Sequence, residues 1–221
     1  MPFWSPQISY VIGLITTDGN LSIDKRHISL TSTEKQQLRT FRKCLNINNR
    51  ICDNPSQKTM CYKVTFGNVK FYNKLLKIGL MPTKTSKLGP LNIPNKYFAD
   101  FLRGHIDGDG SIICYTDKHN SYKGKVYTYH RLYVTLRSAS HRHIKWIQRR
   151  IYNNLNIKGC LNGWKSPRAE NLKTLWTLRF CKNESLVLLK YLYYDKDAPC
   201  LRRKRNVAIS FLRRYHGGSE L

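Results

Sequence analysis

Apolar residues near the amino terminus recur at the spacing of one helix face. They stand at i, i+3, i+4 and i+7, at Ile8, Val11, Ile12 and Ile15. Ser5 can cap such a helix and Pro6 suits its first turn, whereas Gly19 ends the pattern. The sequence therefore predicts an amphipathic helix that stops at Asp18-Gly19.

The same pattern returns in the segment that runs from Pro94 to Gly110. A shift of 91 residues superimposes three pairs, namely Gly13 on Gly104, Asp18 on Asp109 and Gly19 on Gly110. Both predicted helices end in Asp-Gly. The chain is therefore expected to contain two copies of one structural unit.

Each Asp-Gly is followed by the same order of alternating and helical segments. After the first come strands at 21–23 and 27–31, a helix at 33–45, strands at 50–52 and 58–66, and a helix at 69–78. After the second come strands at 112–116 and 125–137, a helix at 141–155, strands at 158–164 and 172–181, and helices at 184–193 and 201–215. The predicted fold class is α+β, with two αββαββα subdomains that are related by a pseudo-twofold axis.

A segment rich in turn-forming residues separates the two units. Residues 79–94 hold three prolines and two glycines, which interrupt helices and strands. We expect an amino-terminal half at 1–86, a linker at 87–94 and a carboxyl-terminal half at 95–221.

Basic residues dominate the charge of the chain. Its 221 residues include 39 Lys and Arg against 13 Asp and Glu, which gives a formal net charge of +26 at pH 7. This excess is larger than solubility requires and implies an acidic partner. Because 41% of the residues are hydrophobic, a folded core is expected, and a disordered polybasic tail is excluded as the main interpretation.

The expected location is inside the cell and outside membranes. No apolar run approaches the roughly 18 residues of a membrane span. The first residues lack the features of a secretion signal. The bacterial cytoplasm, an organelle or another compartment that holds the host genome would fit. The seven cysteines are odd in number and form no Cys-x-x-Cys pair, which argues against a disulfide frame or a zinc finger.

The long alternating run at 125–137 separates two kinds of side chain. One face carries Val126, Thr128, His130, Leu132, Val134 and Leu136. The other face carries Tyr127, Tyr129, Arg131, Tyr133, Thr135 and Arg137. A cationic, aromatic face suits a nucleic-acid groove, because Arg reads guanine edges while Tyr and Thr reach phosphates and bases.

Three other predicted strands show the same division between their two faces. Their polar faces add seven candidate DNA contacts, which are His27, Ser29, Thr31, Lys63, Thr65, Lys173 and Arg179. An ordinary solvated face is the alternative interpretation. The repetition of the pattern from strand to strand favours nucleic-acid binding.

The two Asp-Gly dipeptides indicate a metal site. Asp18 and Asp109 are among only 13 acidic residues, and they end matched helices. Mg²⁺ (or Mn²⁺) prefers carboxylate and carbonyl oxygens, so one Asp from each half would build a site on the pseudo-twofold axis. The backbone carbonyls of Thr17 and Gly108 are the further candidate ligands. The alternative is that each Asp-Gly is only a helix-ending turn.

Close approach of the two helices requires small residues where they meet. The patterns Gly13-x-x-x-Thr17 and Gly104-x-x-x-Gly108 provide such a seam. Thr17 is bulkier than the glycine that occupies the matching position in the second helix. These four residues are therefore the candidate helix interface.

The two motifs resemble those of the LAGLIDADG homing endonucleases. The stretches that carry the resemblance are VIGLITTDG at 11–19 and LRGHIDGDG at 102–110. The first stretch departs from the family pattern at Thr16 and Thr17, and the resemblance covers nearly the whole chain. It implies a single-chain pseudo-dimer in which the motif helices form the central interface and their final acidic residues bind catalytic metal. It also implies two curved antiparallel sheets that form a saddle over the DNA major groove.

The resemblance also implies a basic residue from each half beside the metals. Lys84 and Lys204 match those positions. Their charge would act where negative charge develops on the phosphate. Lys87, Arg202 and Arg203 are the alternatives after a small shift in register, and a phosphate-binding or solvated lysine is the alternative role.

Two serines match a family position that orders water around the metals. Ser32 and Ser138 stand just before the first helix that follows the strands of each half. Their alternative role is to help begin a helix. Asp107 has no acidic counterpart in the first motif, so we expect it to support the structure or the ligands rather than to bind metal.

The function that the resemblance implies is metal-dependent cleavage of both strands of a long, asymmetric DNA duplex, as in intron or intein mobility. Asp18 and Asp109 would hold the ions, water would attack phosphorus and the 3′-oxygen would leave. The expected partner is double-stranded DNA, with no membrane and no protein partner, and the expected state is a monomer. The alternative is a non-catalytic nucleic-acid binder or an RNA maturase that assists intron splicing. No function is assigned to residues 216–221.

Overall fold

The computed structural model describes residues 3–54, 60–165 and 173–215. The first half runs through seven elements in the predicted order. They are α1 (Pro6–Thr17), β1 (Gly19–Leu21), β2 (His27–Ser32), α2 (Lys35–Leu45), β3 (Ile51–Asp53), β4 (Tyr62–Gly67) and α3 (Val69–Ile78). The next element is a short 3₁₀ turn, Asn95–Tyr97.

The second half repeats this order and adds a helix. Its elements are α4 (Phe98–Asp109), β5 (Ser111–Tyr122), β6 (Lys125–Ser138), α5 (His141–Leu155), β7 (Cys160–Trp164), β8 (Leu175–Phe180), α6 (Lys182–Leu192) and α7 (Arg202–Tyr215). The seventh helix follows a turn and returns the chain towards α4. The predicted order of helices and strands is confirmed.

Each half contains one four-stranded sheet with the same topology. The strand orders are β1-β2-β4-β3 and β5-β6-β8-β7, and every neighbouring pair is antiparallel. The second and fourth strands of each half are therefore central, and the first and third lie at the edges. The fold class predicted from the sequence is confirmed as α+β with two repeated sheet-and-helix units.

The first motif helix is more deeply buried than its pattern predicts. Ser5 caps α1, since its Oγ accepts a hydrogen bond from the Ile8 amide at 3.1 Å. Every residue from Ser9 to Thr16 is buried, rather than one face alone. The reason is that α1 packs against α4 on one side and against α2, β1 and β2 on the others. The predicted helix and its end at Asp18 are confirmed, but its burial extends beyond the predicted apolar face.

Strand limits differ from the sequence expectation at several ends. β1 covers Gly19–Leu21 instead of 21–23, and Ile23 is 83% exposed in the turn to β2. β5 extends to Tyr122 because it pairs along the length of β6. Beyond the core this ribbon has two exposed faces, so Val126 is 67% exposed although the alternation placed it with the core residues. The strand positions predicted at 58–59 and 172, and the tail 216–221, lie outside the described residues.

The chain between α3 and the 3₁₀ turn forms no helix or strand, yet it is anchored to the protein. Leu80, Leu88, Leu91 and Ile93 are buried. The carbonyl oxygens of Leu88 and Gly89 accept hydrogen bonds from Ser140 Oγ at 2.5 Å and from His143 Nδ1 at 2.9 Å. None of the helices in the described part of the chain is long and apolar enough to cross a membrane.

Candidate functional site

The two motif helices touch through their glycines. A Cβ atom added to Gly104 would lie 2.1 Å from the Tyr10 carbonyl oxygen, and one added to Gly13 would lie 2.2 Å from the Phe101 carbonyl oxygen. Real Cβ atoms do not approach backbone this closely. Only residues without a side chain therefore allow α1 and α4 to lie at this separation.

The same contact continues to the carboxyl ends of the helices. A Cβ added to Gly108 would lie 1.9 Å from Thr17 Oγ1 and 2.9 Å from Asp18 Oδ2. The Asp18 carboxylate therefore reaches the residue that precedes Asp109 in the other half. The structure brings together the two acidic residues that the repeat singled out.

The two carboxylates share a partly desolvated environment. Burial and, to a smaller extent, the negative charge of Asp109 raise the pKa of Asp18 to about 7, although Lys204 and Lys84 oppose the rise. Burial also raises the pKa of Asp109, against the lowering effect of Lys84, Lys204 and Arg137. Asp18 is half-buried, whereas Asp109 is exposed at the surface. Asp18 is therefore the more strongly desolvated of the two.

Both predicted lysines lie at the ends of the motif helices. Lys84 Nζ donates a hydrogen bond to the carbonyl oxygen of Gly19. Lys204 Nζ donates to the carbonyl oxygen of Gly110 at 2.8 Å. Gly19 and Gly110 follow the two aspartates at matched positions, so the two cations have corresponding places. Burial lowers the pKa of each lysine, and the nearby aspartates oppose this shift.

A cavity lies on each side of the helix pair. The first, of about 400 Å³, is lined among others by Asp109, Lys84, Arg137 and Ser138. The second, of about 500 Å³, is lined among others by Asp18, Lys204, Thr31 and Ser32. Each cavity is thus lined by one of the two motif aspartates, by a lysine from the opposite half of the chain and by one of the predicted serines. This arrangement repeats the same set of chemical groups twice.

The two serines occupy matched local structures. Ser32 Oγ accepts from the Glu34 amide at 3.1 Å, and Ser138 Oγ accepts from the Ser140 amide at 3.1 Å. Ser32 Oγ also donates to Gln37 Oε1 at 2.7 Å. Each serine therefore shapes the turn that leads into α2 or α5, and each also borders its cavity.

The donor atoms at this site suit a hard divalent cation. Two carboxylates and the backbone carbonyls at the ends of α1 and α4 are oxygen ligands of the kind that Mg²⁺ prefers. The carboxyl ends of two helices add negative potential at the same place. The Thr17 carbonyl belongs to the last turn of α1, and the Gly108 carbonyl accepts a long contact of 3.4 Å from Lys204. Across the described residues, no cluster of three His, Cys, Asp or Glu could hold a metal.

In the first half, the predicted polar residues form one surface of the sheet. Ser29 pairs with Thr65, and Thr31 pairs with Lys63, on neighbouring strands. Lys63, Thr65 and His27 are exposed, whereas Ser29 is only 6% exposed. His27 Nδ1 also contacts Asp24. Ser29 is therefore not one of the exposed polar residues of this sheet.

In the second half, aromatic and cationic groups cover the equivalent surface. The Arg179 guanidinium lies 3.8 Å from the centre of the Tyr133 ring, and Arg131 pairs with Asp117 at 3.1 Å. Tyr129 is 46% exposed. The remaining predicted residues differ in exposure, with Tyr127 and Arg137 exposed, Lys173 exposed just before β8, and Thr135 buried. Thr135 is covered because its hydroxyl bonds Ser111 Oγ at 2.5 Å.

Sequence reasoning missed the polar contacts that join the halves around α7. Glu34 pairs with Arg203 at 2.6 Å, and Gln36 Nε2 donates to the Cys200 carbonyl at 3.1 Å. Tyr10 donates from its hydroxyl to Asp107 Oδ2 at 2.9 Å. These partners are separated by about a hundred residues or more, and no local spacing links them.

Comparison of this structure with solved structures identifies the fold. It superimposes on the LAGLIDADG homing endonuclease I-LtrWI bound to target DNA with a TM-score of 0.57 and 14% identity, over 96% of this chain and 91% of that one. The meganuclease I-SmaMI bound to uncleaveable DNA gives a TM-score of 0.56 and 12% identity, over 98% and 97%. The chain has the LAGLIDADG fold.

The same LAGLIDADG fold occurs in a protein that is described differently. Full-length DUF199/WhiA from Thermatoga maritima gives a TM-score of 0.56 and 16% identity, over 99% of this chain. The chain spans 64% of the length of that relative. No protein-family model and no curated protein matches the sequence. The fold is thus shared at low sequence identity.

Proposed function

We propose that this protein is a site-specific DNA endonuclease that makes Mg²⁺-dependent double-strand breaks in a long, asymmetric duplex, in the service of intron or intein mobility. The observation that carries the proposal is the convergence of Asp18 and Asp109 at the ends of matched helices. Burial, together with the nearby negative charge of Asp109, raises the pKa of Asp18 to about 7. Such paired carboxylates between two polar sheet faces suit metal-assisted cleavage of a phosphodiester.

The exposed sheet faces support duplex DNA as the substrate. Lys63 and Thr65 in one half, and Arg179, Tyr129 and Arg137 in the other, present cationic and hydrogen-bonding groups on the polar faces of the sheets. The net charge of +26 favours a polyanionic partner. Because the two faces carry different side chains, the two halves of the target are expected to differ in sequence.

The residues of the site divide the chemical work. Asp18 and Asp109 would hold Mg²⁺, with the Thr17 and Gly108 carbonyls as further ligands. When bound, Mg²⁺ would polarise the scissile phosphate and activate water for attack on phosphorus. Lys84 and Lys204 place positive charge beside each carboxylate, where negative charge develops on the phosphate oxygens. Ser32 and Ser138 border the two cavities and are suited to order water there.

A non-catalytic nucleic-acid binder, including an RNA maturase, is the competing outcome. A fold does not fix a function, and this fold is shared with proteins described as homing endonucleases and with WhiA. The paired aspartates favour the nuclease, because a binder has no need for two adjacent carboxylates with raised pKa values beside two lysines. Binding without cleavage would support the competing function.

The decisive experiment uses DNA that flanks the reading frame. The two flanks are rejoined in a plasmid, which is incubated with the purified protein and either Mg²⁺ or EDTA. The proposal requires linear product with Mg²⁺ and none with EDTA or with Asp18→Asn. Tight binding without any double-strand cut would overturn it, and stimulated splicing of the intron RNA would identify a maturase.

A further inference from the structure

We propose that Asp107 is a positioning residue that fixes the start of α7 and thereby holds Lys204 at the site, an inference that rests on the proposed nuclease function. Asp107 is 2% exposed. Its Oδ2 accepts from the Leu201 amide at 2.7 Å and from the Tyr10 hydroxyl at 2.9 Å. The side chain therefore joins both motif helices to the segment that leads into α7.

The start of α7 is fixed from both halves of the protein. The first amides of a helix have no acceptor within that helix and need partners from elsewhere. The Asp107 carboxylate is the acceptor for the Leu201 amide, and Gln36 Oε1 accepts a hydrogen bond from the Arg202 amide at 3.1 Å. Gln36 also donates to the Cys200 carbonyl. A carboxylate at this end of a helix is further stabilised by the helix dipole.

This anchoring sets the position of Lys204. Lys204 lies in the first turn of α7 and is 6% exposed. Its Nζ donates to the carbonyl oxygens of Ile106 at 2.6 Å, Asp107 at 2.8 Å and Gly110 at 2.8 Å. Asp107 thus acts on Lys204 through its side chain, which holds the α7 backbone, and through its own carbonyl.

Among its described residues, the first half has no equivalent of the Asp107 contacts. The residue that matches Asp107 in the first motif is Thr16, whose Oγ1 donates to the Ile12 carbonyl of its own helix at 2.7 Å. Among the described residues, the Lys84 ammonium has one hydrogen-bond acceptor, the Gly19 carbonyl. Loss of Asp107 should therefore disturb Lys204 and leave Lys84 in place.

Lysine acylation tests the positioning directly and does not depend on cleavage. The full-length protein is treated with N-hydroxysuccinimide acetate, and acetylation of Lys204 and Lys84 is followed by peptide mass spectrometry. Asp107→Leu removes the acceptor in a similar volume and should raise the Lys204 rate by about tenfold or more, with Lys84 unchanged. Asp107→Asn keeps an acceptor oxygen and should restore protection. Thr16→Val is the matched control and should change neither rate.

Strand-resolved cleavage tests the consequence for the reaction. In the plasmid assay, Asp107→Leu should slow the cutting of one strand by about 10- to 100-fold, as expected for a displaced catalytic group, and nicked circles should accumulate with all nicks in one strand. Tyr10→Phe removes one hydrogen-bond donor to the Asp107 carboxylate and keeps the ring in the core. It should slow the cutting of that strand less than Asp107→Leu does. Thermal unfolding of each variant reports whether it folds.

The possible outcomes separate the two proposals. If the wild-type protein cuts no DNA but Lys204 alone becomes reactive in Asp107→Leu, the positioning role stands and the nuclease proposal fails. An unchanged Lys204 rate in a folded Asp107→Leu or Tyr10→Phe protein overturns the positioning role. Equal exposure of both lysines, or equal slowing of both strands, shows a general structural role and also overturns it.

Discussion

Burial and the nearby charge of Asp109 together raise the pKa of Asp18, because the two aspartates end adjacent helices. Two like charges brought together in this way are unfavourable for the free protein. Lys84 and Lys204 compensate part of that cost. A divalent cation, as the proposed function requires, would relieve the rest.

Removal of either carboxylate should stop cleavage and spare binding. Asp18→Asn and Asp109→Asn keep side-chain size but each removes a charged ligand, so we expect plasmid cutting to fall about 10³-fold or more. DNA affinity in a gel-shift assay should change by less than about threefold, because the sheet faces are untouched. Asp197→Asn, an exposed carboxylate in the turn before α7, is the matched control. Unchanged cutting by either site variant would remove that residue from the mechanism.

The raised pKa of Asp18 predicts a pH-dependent gain in stability when the charge is removed. The carboxyl titrates at 3.8 when unfolded and at about 7 when folded, so the folded state holds an extra proton between these values. The destabilising effect of ionisation is therefore absent below about pH 4, grows through this window and is complete above about pH 7. Asp18→Asn should raise the free energy of unfolding at about pH 8 by about 1–3 kcal/mol, and by less at about pH 5.

Urea unfolding of metal-free protein measures this effect at both pH values. Asp197→Asn should show no comparable gain at either pH, because that carboxylate is exposed. Equal stabilisation by Asp18→Asn at both pH values would contradict the assignment of the raised pKa to Asp18.

The glycine contact between the motif helices should tolerate no side chain. Gly104→Ala places a methyl group 2.1 Å from the Tyr10 carbonyl, so the helices must separate. We expect a loss of about 3 kcal/mol or more in unfolding free energy, at the upper end of overpacking effects. Gly89→Ala is the control, since among the described residues its added Cβ would have only Arg142 Nη2, at 3.9 Å, within van der Waals distance. Equal stability of the two variants, measured by chemical denaturation, would refute the close packing.

Cations on the sheet faces should dominate the salt dependence of DNA binding. Arg179→Ala should weaken binding and reduce the log–log salt slope by about 0.9, the value for one neutralised phosphate. Lys145→Ala is the matched control, because Lys145 is exposed on α5 while Ile144 and Ile147 of that helix are buried. Fluorescence anisotropy over a salt series measures both slopes. The interface would be misplaced if Lys145→Ala reduced the slope and Arg179→Ala did not.

Local sequence patterns were enough to predict much of the fold. The limits of α3 and α5 agree with the predicted 69–78 and 141–155, because cap residues and apolar spacing are both encoded nearby. Asp18 and Asp109 were found because the repeat placed them at equal positions. Lys84 and Lys204 came from the family resemblance, and the structure places both at the motif helix ends.

Long-range contacts explain what the sequence did not show. The burial of every α1 residue from Ser9 to Thr16 depends on elements on several sides of the helix, and a single helix pattern does not report them. Ser29 and Thr135 alternate with core residues as expected, yet neighbouring groups cover them. The contacts of Asp107 with Tyr10 and Leu201 join residues that are more than ninety positions apart.

The central claim is that Asp18 and Asp109 together bind a divalent ion. Anomalous X-ray scattering from crystals soaked in Mn²⁺ tests it most directly. The account predicts a peak at the ends of α1 and α4, at about 2.1 Å from oxygens of both carboxylates. The peak should vanish in crystals of Asp18→Asn. A peak bound by only one of the two carboxylates, or sites located elsewhere on the protein alone, would contradict the central claim.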